Sequence, residues 1–272
     1  MSSASTRIET VPAMPEAPAR RGSLIINADD WGRDRDTTDR TLECVQQGSV
    51  SSVSAMVFME DSERAADIAL TSAVDAGIHL NFTAPYTGKD CSGKGVEHHQ
   101  AVCTFLRRHA MARLLFHPGL KDSFEYVVSQ QMDEYCRLYR KPPQRVDGHH
   151  HQHLCSNVLL QKLLPQGAIV RRNFVFAPGE KSLVNRFYRS MIDKSLAKRH
   201  QLVDYLFALP LPEIRLREIV ALSKDHVVEL ETHPINSAEY ELLTNGTMFG
   251  LAGDTGIASR FAMPTRAART SA

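Results

Sequence analysis

Two adjacent carboxylates, Asp29 and Asp30, close an apolar run in Ser23-Leu-Ile-Ile-Asn-Ala-Asp-Asp-Trp-Gly32. Neighbouring carboxylates repel, so a site that keeps both ionised gives one of them a cation. Nitrogen ligands for such a cation stand further along: His79 in Gly77-Ile-His-Leu80, the cluster His149-His-His-Gln-His153, and His233 in Glu231-Thr-His-Pro234. Imidazole with carboxylate suits a divalent ion such as zinc, and an Asp-His-His set leaves positions open for water and substrate, the mark of a catalytic site. Either acid can be the ligand at this level, and which histidine of the cluster faces the metal stays open. His233 suits proton donation near neutrality, and the second acid suits proton acceptance from water. Each piece alone has a simpler reading: a capping Asp pair, a core histidine, a histidine-rich surface loop. Their common place at the ends of apolar runs joins them.

The elements that must position these groups alternate between strand and helix. Apolar runs at 23–31, 49–59, 76–81, 144–148, 168–173 and 227–232 read as strands, and segments 34–47, 61–73, 124–139, 156–164, 183–198, 213–222 and 237–243 carry helical spacing. Alternation of this kind predicts an α/β fold with a parallel sheet, a (β/α) barrel that is short of eight regular units, with its chemistry at the carboxyl ends of the strands. Residues 1–22 read as a disordered tail and 23–245 as one barrel domain. Residues 82–119, rich in Gly and Pro, read as a substrate-side loop or lid, and 246–272 as an irregular C-terminal segment.

At 272 residues, 43% hydrophobic and 23% charged, with a formal net charge of +1, the chain gives no reason to expect nucleic acid as a partner. No run reaches the roughly 20 apolar residues of a membrane span. Five scattered cysteines without a Cys-x-x-Cys spacing argue against a disulfide framework and for a cytoplasmic home. Trp31, Phe82 and Tyr86 adjoin the candidate residues and could stack on a sugar ring, and one of Arg171 and Arg172 could reach the rim toward substrate oxygens. A homodimer is the default assembly.

In Asn27-Ala-Asp-Asp-Trp-Gly32, Gly77-Ile-His-Leu80, Val146-Asp-Gly-His-His-His-Gln-His153 and Glu231-Thr-His-Pro234 the chain resembles the YdjC-like carbohydrate deacetylases, which include chito-oligosaccharide deacetylases and hopanoid-associated proteins. The resemblance covers about residues 23–245. It implies a distorted (β/α) barrel related to polysaccharide deacetylases, and one divalent metal, zinc or magnesium, on Asp30, His79 and His149. It further implies Asp29 as general base, His233 as general acid, His151 and His153 as second-shell or substrate-side groups, and an N-acetylated sugar as substrate. Trp31, Gly148 and Ile235 stand where the family usually has Phe, Ser and Gly. Hydrolysis of another bond on the same scaffold, a phosphoester or a lactone, and a metal- or sugar-binding protein without activity are the alternatives.

Overall fold

The computed structural model describes residues 22–109, 111–176 and 180–263; the tail expected over 1–22 lies, but for Gly22, outside them. The chain runs β1 (Ser23–Trp31), α1 (Arg35–Gln46), β2 (Ser52–Ala55), α2 (Ser62–Thr71), β3 (Ala76–Leu80), α3 (Gly93–Arg107), α4 (Lys121–Tyr139), β4 (Arg145–Gly148) and α5 (Ser156–Leu160). It continues through β5 (Ile169–Val170), α6 (Leu183–Leu196), β6 (Tyr205–Ala208), α7 (Glu213–Leu222), β7 (Val227–Thr232), α8 (Ser237–Thr244) and α9 (Thr247–Ala252). Every strand pairing is parallel, in the order β5-β4-β3-β2-β1-β7-β6, so the helices cross over a single curled sheet as the alternation predicts. The two edges are tied by an Ile169–Gln201 bridge and by the Val175 amide donating to the Leu206 carbonyl at 3.0 Å.

Strand alternation sorts the chemistry. Leu24, Ile26 and Ala28 of β1, Val53 and Ala55 of β2, Ile78 and Leu80 of β3, Val146 of β4 and Val228 and Leu230 of β7 face the helices in one apolar core. The other face, which becomes the barrel interior, is apolar toward its base, where Ile25, Val203 and Val227 meet. Above them the inward column is polar and buried: Asn27 and Asp29, Ser52 and Ser54, His79, Asp147, Glu229 and Glu231.

Two segments depart from expectation. Within 82–119 a 15-residue helix, α3, packs on α4; Ser92 caps it by accepting from the Gly95 amide, and its buried face is Gly95, His99, Val102, Cys103 and Leu106. A glycine and a histidine replace apolar residues on that face, which hides its period from composition. The C-terminal segment is also ordered through Met263. α9 packs on α7 and α8, and Ala258, Phe261 and Met263 then cover the base of the barrel, with Ala258 donating to the Leu24 carbonyl at 2.8 Å. Strand β6 is absent from the sequence reading, and the expected strands at 49–59 and 168–173 shrink to four and two residues. Among the described residues no helix is long and apolar enough to cross a membrane, and all five cysteines are free.

Candidate active site

Successive residues of a regular strand point to opposite faces, so Asp29 and Asp30 should diverge. They converge because β1 bulges between Ala28 and Trp31 and Asp30 takes a left-handed φ of 63°, followed by Gly32 at 85°. Aspartate tolerates that conformation better than most residues. Trp31 is thereby turned outward, fully buried against α2 with its indole N–H donating to the Ala65 carbonyl at 3.2 Å. The stacking role open to Trp31 is therefore excluded. Phe82 is equally buried against Phe124. Tyr86 packs between Phe58 and His99 and its hydroxyl accepts from Gln130, so it belongs to the packing of the loop.

Asp30, His79 and His149 meet at the strand ends, their ligand atoms all within 4.8 Å of one another. Asp30 Oδ1 lies 2.9 Å from His149 Nδ1 and 3.3 Å from His79 Nε2. Burial would raise the Asp30 pKa, but the hydrogen bond from His149 and the His79 ring beside it hold it well below the usual carboxylate range. His79 Nδ1 is 2.8 Å from Asp147 Oδ1, which fixes the ring so that Nε2 faces Asp30. That Nε2 is buried without a hydrogen-bond partner. A buried nitrogen aimed at carboxylates and lacking a partner is what a cation would satisfy, so these residues fit a divalent ion. Burial opposes a charge on His79, yet Asp29 and Asp147 raise its pKa well above the ordinary value, the same demand for positive charge seen from the ring.

Asp29 is held differently. Arg171, fully buried just past β5, grips it with two parallel bonds, Nη1 to Oδ2 at 2.6 Å and Nη2 to Oδ1 at 2.7 Å. The same guanidinium reaches Glu229 at 2.8 Å, Asp147 at 3.0 Å and Glu231 at 3.1 Å. It is thus an internal counter-charge to four carboxylates and does not serve as a substrate contact; Arg172 points away, to Asp193. Asn27 adds a bond from Nδ2 to Asp29 Oδ1 at 3.0 Å, and Ser54 donates to Asp147 at 2.5 Å. Burial pushes Glu229, deepest of the four, up to about 7 despite Arg171. Glu231 falls to about 2 against its burial because His151 and Arg171 lie beside it.

The histidine cluster divides its tasks. His149 faces Asp30. His150 and His151 take left-handed φ values of 55° and 56°, and this turn sends His151 Nε2 to within 3.0 Å of Glu231 and tilts its ring against Phe174. His150 Nδ1 lies 3.0 Å from the Thr83 hydroxyl and, with Arg33, Arg113 and His149, lines an open cavity of about 640 Å³ over the site. His153 is buried, 3.0 Å from the Arg171 carbonyl, and burial lowers its pKa to about 3, so it supports the backbone that aims Arg171. His233 is half-buried at the end of β7, with a ligand atom within 4.8 Å of those of Asp29 and Glu231. Its amide donates to Glu239 at 2.7 Å. Ile235 follows with no left-handed φ, so it needs no glycine.

The roles of Asp147, Glu229, Glu231 and His150 do not emerge from the sequence reading, and Arg171 faces carboxylates in place of substrate oxygens. The available signal was alternation: Arg145-Val-Asp147 and Val228-Glu-Leu-Glu231 place charge at every second residue of apolar strands. That pattern means a polar buried face.

A family model described as YdjC-like protein matches residues 23–242. Among curated proteins, a chitooligosaccharide deacetylase from Serratia marcescens is 30% identical over 134 residues, 48% of this chain and 50% of its own. One from Proteus mirabilis is 26% identical over 140 residues, 50% of this chain and 51% of its own. The chain thus spans about half the length of the curated relatives it matches. A solved structure from Enterococcus faecalis, described as a cellobiose-phosphate cleavage protein, superposes with a TM-score of 0.60 at 18% identity, covering 88% of this chain and 96% of that one, a likeness of fold.

Proposed function

This chain belongs to the YdjC-like protein family, and on that premise we propose that it is a metal-dependent hydrolase that removes an N-acetyl group from an amino sugar or oligosaccharide, releasing acetate. One observation carries the reading: a ready cation site of Asp30, His79 and His149 stands beside a second carboxylate, Asp29, that is fixed by an arginine and left outside the ligand set. The substrate class extends to this chain the name borne by its relatives.

A divalent ion held by Asp30, His79 and His149 supplies Lewis acidity toward the amide carbonyl and toward the attacking water. The protein does the rest. Asp29, oriented by Arg171 and Asn27, accepts the proton of that water. Asp147 keeps His79 in the tautomer that leaves Nε2 free to ligate. His233, across from Asp29 at the end of β7, donates a proton to the departing amine nitrogen, which is otherwise too basic to leave. Zinc and magnesium are the ions proposed, the two imidazoles favouring zinc. A cytoplasmic homodimer is the protein's proposed form.

The test is mass spectrometry of a panel of N-acetylated sugars and oligosaccharides incubated with the metal-loaded protein. Loss of one acetyl group with stoichiometric acetate is expected. Metal bound in full with no acetyl loss across the panel, or turnover of phosphoesters in its place, overturns the proposal.

A further inference from the structure

Helix α6 is apolar on the side that faces water. Leu183, Val184, Phe187 and Met191 are 79%, 78%, 67% and 50% exposed, and at 100° per residue they fall in one stripe roughly 100° wide. The opposite side of the helix, with Ile192, Asp193 and Leu196, packs against the protein. From Leu183 to Lys198 the exposed charge has one sign. Arg186, Lys194 and Lys198 are exposed, whereas the acid within the helix, Asp193, is turned inward and held by Arg172 at 2.9 Å; just before the helix, Glu180 and Lys181 are exposed with opposite signs.

We propose that α6 is a docking surface for an anionic lipid bilayer. Leucine, valine, phenylalanine and methionine enter the boundary between headgroups and acyl chains, and the flanking cations bind lipid phosphates, the arrangement of helices that lie in a membrane interface. Area and charge favour a bilayer over a second copy of the chain. The stripe spans nine residues, about 12 Å, and offers on the order of a few hundred Å², short of the roughly 800 Å² per partner of a stable dimer. A two-fold pairing would also set these cations against themselves.

The stripe is distinct from the cavity of about 250 Å³ that Asn185, Tyr188, Arg189 and Ile192 line on the other side of the helix and that reaches inward to His151. Binding of this kind is independent of the reaction proposed above and can be tested without it.

The full chain is floated with vesicles of phosphatidylcholine alone and of phosphatidylcholine mixed with phosphatidylglycerol, with folding checked by circular dichroism. Co-flotation with the anionic vesicles is expected to exceed that with neutral ones at least tenfold and to fall with salt. Phe187→Glu and Val184→Glu, at exposed positions that leave the core intact, should each abolish it, and each of Lys194→Glu and Lys198→Glu should weaken it about fivefold or more. Equal or absent flotation with the two vesicles, or flotation unchanged by Phe187→Glu, overturns the proposal. So does light scattering that shows a dimer dispersed by Phe187→Glu, which would assign the stripe to a second copy.

Discussion

Replacing Arg171 by methionine removes the charge at the centre of the barrel while keeping much of the side chain's volume. Five contacts of 2.6–3.1 Å to four carboxylates are lost. The losses are unequal. Glu229, already pushed up to about 7, takes a proton near neutrality at little cost. Asp147 keeps His79 and Ser54, and Glu231 keeps His151. Asp29 retains the Asn27 amide and, at 3.8 Å, His79 Nε2, so it is the carboxylate that loses its direct charged partner. Breaking a single buried pair costs about 3–5 kcal/mol, which corresponds to a fall in Tm on the order of 6–10 °C in a domain of this size. The penalty depends on pH. Without Arg171, burial of Glu229 goes unopposed and lifts its folded pKa further above the unfolded value, so the folded variant holds that proton to higher pH and loses stability as pH rises. Urea unfolding of the two proteins between roughly pH 5 and 8 should therefore show a gap that widens toward alkaline pH. A gap under about 1 kcal/mol, or one that widens as pH falls, would refute the assignment of Arg171 as the internal counter-charge.

Asp30→Ala should lose bound metal, read by elemental analysis after dialysis, whereas Asp29→Asn should keep it and lose acetyl-releasing turnover by about 10²-fold or more; retained turnover in Asp29→Asn removes the base. His99 is buried under Tyr86 with Nε2 lacking a partner, and burial lowers its pKa to about 4. The unfolded chain, with a histidine pKa near 6.5, binds the proton more readily, so stability should fall by about 2–3 kcal/mol as pH drops from 6.5 to 4. His99→Phe should remove that slope from the denaturant midpoint, and an unchanged slope would show that other groups set it.

Where the sequence was legible, local pattern and tertiary role agreed. Glu213–Leu222 and Val227–Thr232 have the bounds that helical spacing and a β-branched run predict. Asp29, Asp30, His79, His149 and His233 were readable as a constellation because parallel strands deliver all their carboxyl ends to one rim. What stayed hidden depended on partners distant in the chain. Tyr205–Ala208 is four residues before a Leu-Pro-Leu-Pro stretch, too short to carry a period, and becomes a strand by pairing with β7. The task of Arg171 is set by acids 24 to 142 residues away. A regular β1 would leave Trp31 available to a sugar; the bulge that brings the two acids together also turns the indole into the core.

That bulge also bears on transplantation of the site. A designer who wrote the same pair of acids onto the end of a straight strand in another barrel would obtain one carboxylate in the mouth and one among the helices. The portable unit is the backbone from Ala28 to Gly32, with its left-handed residue and the groove in α2 that receives the indole. Grafting requires the recipient to supply that groove as well as the ligands.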